Sequence, residues 1–460
     1  GHTKRSTKLS EEKVNTELLD PAKIQVPKRK VRLVEKPTPP RWPFYAILLI
    51  AFAFLTLWGV QAIPRFSRQA GPQSLTAHER SYLEGVYRDT WKYLAAFVTE
   101  ETGIPYDSSA RQPATSTSNV GFYLASVATA YRTGLIAKDE ASSRIERAVA
   151  SLSRVETWRG FPRPWFLVRT LEPTHGEEFS YGPHTALLLG GLVVAKATFP
   201  ELAPPIFEII QKMEFRSLYD ARTRWLRGGY NLKTQNFAIF QPWGHWYYKH
   251  FASEIRLLSF YLVARGFAPL AHWEGLIRLS ETRDGETYFL SGLEDGGMYA
   301  PYVAGLFLDE RKTEMGASQK SYARLQMKRA EKMRAPVWGW SSCEAPEGRF
   351  LAYGELMDEI VAPYASMLAS IYFPRETAAN LARLEDMGAR SSGFGFADSV
   401  NWRTGTVARD HLTSSQGMAF LALANLLHDG VVWRAFREDA AVARGLAMLK
   451  EEGYATREKI

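Results

Sequence analysis

Two carboxyl groups set among apolar and aromatic residues offer the clearest chemistry in this chain. Glu254 stands in HWYYKHFASEIRLLSFYL, after an aromatic loop and at the head of a strongly apolar stretch. Glu344 closes the loop WGWSSCEAP. A carboxyl drawn out of water keeps its proton to higher pH and can donate it to a leaving oxygen. A second carboxylate then attacks the sugar carbon or activates water, which is the pairing that glycoside hydrolysis needs. Each acid also has a plainer reading: Glu254 as the partner of Arg256 or Lys249, Glu344 as an exposed loop residue. Trp338 and Trp340 offer faces on which a sugar ring can stack, and Trp243, His245, Trp246 and Tyr247 form an aromatic loop ahead of Glu254. Glu294 and Asp295 precede Gly296 and Gly297, where the backbone can approach a ligand closely.

Other chemistries find less support. His250 and Glu254 lie four residues apart, and His245 is near in sequence, but HxxxE is a loose pattern and we assign no metal and no cofactor. No Walker loop, GxGxxG, GxSxG elbow or HExxH occurs. Cys343 is the sole cysteine, so no internal disulfide forms, and a small buried apolar role suits it better than a nucleophilic one.

The elements that must hold these groups are mainly helices. Thr76 caps TAHERSYLEGVYRDTWKYLAAFV, whose Leu83, Val86, Tyr87, Leu94 and Phe97 recur at helical spacing. Further helices are expected in NVGFYLASVATAYRTGL, HTALLLGGLVVAKATF, APPIFEIIQKMEF, FASEIRLLSFYLVARG, AHWEGLIRLSE, GASQKSYARLQMKRAEKMR, YASMLASIYF, RETAANLARLEDMG and SQGMAFLALANLLHDGVVWRAF. Strand-like runs are short, with a small hairpin expected from RWLRGGYNL and NFAIFQPWGHW. Residues 75–460 read as one all-α domain whose Gly-, Trp- and acid-rich loops gather at a cavity.

Ahead of it lies a different kind of sequence. Trp42 to Ile63 reads WPFYAILLIAFAFLTLWGVQAI without a charge, and about 20 apolar residues cross a bilayer. We expect a transmembrane helix at 42–64, a basic disordered tail at 1–41 and a linker at 65–74. The net charge of +8 is concentrated in that tail, which carries eleven Lys or Arg against five Asp or Glu up to Arg41. The basic flank predicts a cytoplasmic N-terminus, with the large domain periplasmic or extracellular beyond an inner membrane. The near-neutral remainder argues against nucleic acid as a partner. Thirteen Trp and 13% aromatic residues suit both a sugar site and a large helical core.

Several stretches, in order, carry a resemblance: TSTSNVGFYLASVATAYRTGLI, HTALLLGGLVVAKATFPEL, FASEIRLLSFYLVARGFAPLAHWEGLIR, EDGGMYAPYVAGLFLDER, PVWGWSSCEAP, VAPYASMLASIYFPRET, GFGFADSVNW and LTSSQGMAFLALANLLHDGVVWRAF. From Thr115 to Phe436 the chain resembles the bacterial β-1,2-glucanase and glucoamylase-like family, and the related glycan-processing domain of cyclic β-1,2-glucan synthases. The resemblance implies an (α/α)6 toroid and a β-glucan-like polysaccharide substrate. It places family acids at Glu254, Glu344 and Asp398, the last orienting Asn401 and Trp402 rather than reacting. Asp309 and Arg311 match an Asp-x-Arg pattern, read as an ion pair tying loop to helix.

One departure matters. Aligning HTALLLGGLV on the family's second inner helix puts His184 where an acid usually opens it, and Tyr181 where another acid is common. Glu177 or Glu178 then takes over the acid role, or the linkage differs, or the domain binds glycan without cutting it. The resulting expectation is a membrane-anchored glycoside hydrolase or transglycosylase. The alternatives are a non-catalytic glycan-binding component of a polysaccharide synthesis or export machinery, and a polysaccharide lyase using Tyr181 and His184.

Overall fold

The computed structural model describes residues 74–174, 178–180, 182–237, 247–292, 297–390 and 393–451. The tail, the 42–64 segment and all of the 65–74 linker but its last residue lie outside them. Among the described residues no helix is long and apolar enough to cross a membrane.

Two kinds of helix alternate along the chain. One kind buries a single face: α1 (Ala77–Ala96), α3 (Lys138–Leu152), α5 (Ala203–Lys212), the short α7 (Leu270–Glu274), α9 (Glu314–Met333) and α11 (Pro374–Asp386). The other is buried nearly all round: α2 (Thr117–Arg132), α4 (Gly182–Thr198), α6 (Arg256–Ala264), α8 (Tyr299–Tyr302, continued as a 3-10 turn Val303–Leu306), α10 (Pro363–Leu368) and α12 (Thr413–Leu427). A helix apolar on every side belongs inside a core, and one with a polar stripe belongs outside. The six buried helices therefore form an inner ring and the six amphipathic ones an outer ring, a toroid of helix pairs. Two further helices, α13 (Val431–Arg437) and α14 (Ala440–Glu451), follow.

The inner ring closes through identifiable contacts. α2 and α4 cross at glycines, where a Cβ on Gly121 would stand 2.2 Å from the Leu187 carbonyl and one on Gly191 would stand 2.1 Å from that of Gly121. α4 packs on α6. Fully buried Arg256 of α6 donates to the Pro301 carbonyl of α8 at 2.9 Å and makes a two-pronged pair with Glu310 at 2.7 and 2.9 Å. Ser341 Oγ accepts from the Tyr299 backbone N–H and from the Tyr364 hydroxyl, linking α8 to α10. α10 packs on α12, and α12 on α2. Outside, α1 begins with the expected Thr76 capping box and is tied to α12 and α11 through Arg80–Leu427 O and Glu79–Arg375.

Several helix limits differ from expectation. The AHWEGLIRLSE helix ends at Glu274, and Ser280–Arg283 instead pairs antiparallel with Glu286–Phe289. The last long stretch breaks into α12 and α13 at Asp429 and Gly430, both at positive φ. Helices α3 and α14 were not anticipated. Trp225–Arg227 does form strand, but it pairs with Tyr219–Asp220 and Tyr247–Tyr248; most of NFAIFQPWGHW is outside the described residues.

Connections from each inner helix to the next outer one are short, for example 133–137, 199–202 and 369–373. Those leading into the inner helices are long, for example 213–255 and 334–362. Because paired helices run antiparallel, the long loops all meet the N-terminal ends of the inner ring, at one mouth of the toroid.

Candidate active site

That mouth collects the chemistry. Glu254 stands two residues ahead of the first residue of α6 and is 6% exposed. Its Oε2 has no hydrogen-bond partner among the described residues. Burial raises its pKa above the ordinary carboxylate range, against a smaller opposing pull from Arg256. The ion pair expected as its plainer role is not made: Arg256 is spent on Glu310, and Lys249 lies over the Trp225 ring at 5.6 Å. Burial first, and then the charges of Glu254, Tyr364 and Tyr248, push the hydroxyl of Tyr299, at the start of α8, well above its ordinary value. The His250 imidazole, four residues ahead of Glu254 in sequence, packs on Gly292, with its Nδ1 unpartnered among the described residues.

A second group assembles from three loops. Asp398 Oδ2 accepts the backbone N–H of Glu344, and the Ser399 hydroxyl donates to the Glu344 carbonyl. The Asp398 backbone N–H donates to the Asp410 carbonyl, Ser109 Oγ donates to Asp410 Oδ1, and Thr413 N–H donates to the Asp107 carbonyl. Asn119 of α2 holds Asp107 Oδ1 at 2.7 Å. Four acids are thereby drawn together: Asp107, Glu344, Asp398 and Asp410. Burial, then the charges of Asp410 and Asp107, raise Glu344. Burial also raises Asp107, with Asn119 opposing it. Asp398, 1% exposed, is pushed up to about 7, chiefly by burial. Asp107 and Asp410 were not singled out in the sequence. Their signal was slight: single acids in loops, PYDSS and ARDHL, whose importance comes from where the fold brings them.

His184 sits in the first turn of α4. Its Nδ1 meets Ser118 Oγ at 2.8 Å, and Trp165 stands edge-on to it at 6.1 Å. Burial pushes its pKa down to about 4, so the ring is neutral at ordinary pH. Glu178 begins the strand Glu178–Ser180, which pairs with Gly229–Asn231. Glu177, Tyr181, Trp243, His245, Trp246 and Asp295 lie outside the described residues.

Two expectations are corrected. Trp338 and Trp340 are 5% and 0% exposed and cannot serve as a sugar platform. Trp338 is clasped by Asn380, and Trp340 donates to Asp358 O beneath the Arg329 guanidinium. Tyr247 is not among them: it is half-buried and gives its hydroxyl to Asp220 at 2.7 Å. Asp398 does not orient Asn401 or Trp402: Asn401 caps its own turn, and Trp402 donates to Asp358 O. The Asp309–Arg311 pair is present at 2.7 Å, with Arg311 over the Trp433 ring of α13 at 4.7 Å, so it does tie loop to helix.

Residues 291–440 match the family model described as "Putative glucoamylase". Residues 86–269 match a family described as a protein of unknown function. The cyclic β-(1,2)-glucan synthase NdvB of Rhizobium meliloti (strain 1021) is 25% identical over 269 residues, 53% of this chain but only 9% of that protein's length. Among solved structures, the "putative glucoamylase" of Bacteroides fragilis NCTC 9343 superposes with a TM-score of 0.72 at 17% identity, covering 83% of this chain and 99% of the other. The endo-β-1,2-glucanase of Chitinophaga pinensis, in complex with sophorotriose and glucose, gives 0.69 at 16% identity, covering 82% and 98%. The resemblance read from the ordered sequence blocks holds, and the toroid is the fold of these solved structures.

Proposed function

We propose that this chain is a glycosidase that hydrolyses or transglycosylates a polysaccharide of the β-1,2-glucan type. The observation that carries the reading is Glu254, a buried carboxyl with an unpartnered oxygen at the mouth of a toroid shared with an endo-β-1,2-glucanase. In this reading Glu254 keeps its proton and delivers it to the glycosidic oxygen. Glu344, the more exposed acid, supplies the second carboxylate, and its raised pKa makes it the stronger base. Asp398 fixes the Glu344 main chain, and Asp107 stands by as a further acceptor for sugar hydroxyls or water.

The second reading, glycan binding without cleavage, is favoured by His184. A neutral imidazole cannot replace a carboxylic acid as proton donor to a glycosidic oxygen. The test is to incubate residues 70–460 with linear β-1,2-, β-1,3- and β-1,4-glucans and follow new reducing ends. Turnover of the β-1,2-polymer that is lost in Glu254→Gln supports the glycosidase. Binding of that polymer without turnover sinks it in favour of the second reading, and an unsaturated product would indicate a lyase.

We further propose that residues 42–64 anchor the chain in the inner membrane, with the toroid on the periplasmic or extracellular side, where it serves polysaccharide synthesis or export machinery. The charge-free apolar run with its basic flank supports this. Protease added to intact spheroplasts should then remove the toroid and leave the tail protected.

A further inference from the structure

The segment that carries Glu344 is one arm of a hairpin. Cys343–Glu344 pairs antiparallel with Phe350–Leu351, in the register Cys343 opposite Leu351 and Glu344 opposite Phe350. The turn between them is closed by Ala345 N–H to Arg349 O and Gly348 N–H to Ala345 O, both 2.8 Å. Residues directly opposite in an antiparallel pair project from the same face, with Cβ atoms about 5 Å apart. Burial obeys that rule. Cys343 and Leu351 face inward at 0% and 7% exposed, whereas Phe350 opposite Glu344 is 61% exposed. A phenyl ring so open to water, beside a carboxyl of the acid cluster, has no packing role in the fold. Its apolar face matches the C–H face of a pyranose.

Resting on the glycosidase reading, we propose that Phe350 is the sugar platform of this site: its ring stacks on the glucose unit next to the one Glu344 faces, and so sets the preference for longer glucan chains. The hairpin thus delivers acid and platform together, the role that Trp338 and Trp340 are too deeply buried to play. Tyr353, 48% exposed just past the hairpin, extends the same surface. There Gly354 lies so close to the Ser341 carbonyl that a Cβ would stand 1.9 Å away. The tyrosine is therefore tied to the Ser341–Glu344 segment.

The test compares wild type, Phe350→Ala and Phe350→Trp on linear β-1,2-glucans of about five and about twenty units. It also measures equilibrium binding of the longer glucan to each protein carrying Glu254→Gln. The expected result is that Phe350→Ala weakens binding and raises KM for the longer glucan about tenfold, leaves kcat within twofold, and is rescued by Trp. An unchanged KM and affinity in Phe350→Ala overturns the platform even if the enzyme turns over. Absence of turnover with a tenfold loss of binding keeps the platform and overturns only the hydrolytic reading. A wild-type chain that binds none of these glucans overturns both. A change in oligomeric state instead of affinity would make Phe350 a protein contact and overturn the proposal.

Discussion

Asp398 holds the main-chain N–H of Glu344 with one carboxylate oxygen, while its other oxygen finds no partner among the described residues. A carboxyl in that setting is comfortable neutral and costly charged. Burial is the main cause of its rise from 3.8 to about 7. The charges of Glu344 and Asp107 add to it, against the opposing influence of the nearby Ser415 hydroxyl and the Glu344 N–H.

The sign of the pH effect follows. Between the two pKa values the folded state binds the proton that the unfolded state has lost. Stability from this group is therefore complete below the unfolded value and declines as pH rises toward about 7. Asp398→Asn keeps an acceptor for the Glu344 N–H and removes the titration. The variant should gain on wild type between pH 5 and 8, by at most about 3 kcal/mol. Denaturant unfolding at both pH values checks it, and parallel curves for the two proteins would exclude the effect.

Catalysis should show its own pH signature. Under the proposed mechanism activity needs Glu344 ionised and Glu254 protonated, and burial raises both. The rate kcat/KM should climb as pH rises through the Glu344 pKa and fall as it passes that of the more deeply buried Glu254. Glu254→Gln should lose roughly 10²–10⁴-fold in kcat and keep its affinity for glucan.

Arg256 and Glu310 make a different kind of prediction. The guanidinium is fully buried and the carboxylate nearly so, and Gln319 completes the shell at 2.9 Å. Arg256→Met strands a buried negative charge and should cost about 3–5 kcal/mol, whereas replacing both residues with apolar ones of similar volume should cost much less. Thermal unfolding of the single and double variants distinguishes the two.

Trp340→Phe should lower stability by about 1–2 kcal/mol, since it loses the bond to Asp358 O and contact with Arg329. Glucan affinity should not change. A weakened affinity would return Trp340 to the binding surface.

The inner helices were readable because NVGFYLASVATAYR and HTALLLGGLVVAKA are apolar on every side, a pattern only a buried helix tolerates. LIRLSE was misread because a short mix of apolar and polar residues fits helix and strand alike, and the pairing of Ser280 and Glu281 with Phe289 and Tyr288 decided its last residues. Glu254 was legible from its apolar surroundings. Asp107 and Asp410 were not, because their meaning comes from contacts roughly 300 residues away in sequence, such as Ser109 with Asp410. Trp338 and Trp340 misled because aromatic residues near glycine suit a binding loop and a core alike.

The clasp of α1 on α12, made across 347 residues by Arg80 and the Leu427 carbonyl, governs how the chain acquires its shape. A ring cannot be closed from one end. Until α12 has been synthesised, α1 and α2 present apolar flanks with nothing to cover them. Folding therefore completes late and slowly, as expected when the decisive contacts are the most distant ones. A nonsense or frameshift lesion after most of the inner helices but before Leu427 would yield an open, sticky crescent rather than a closed ring.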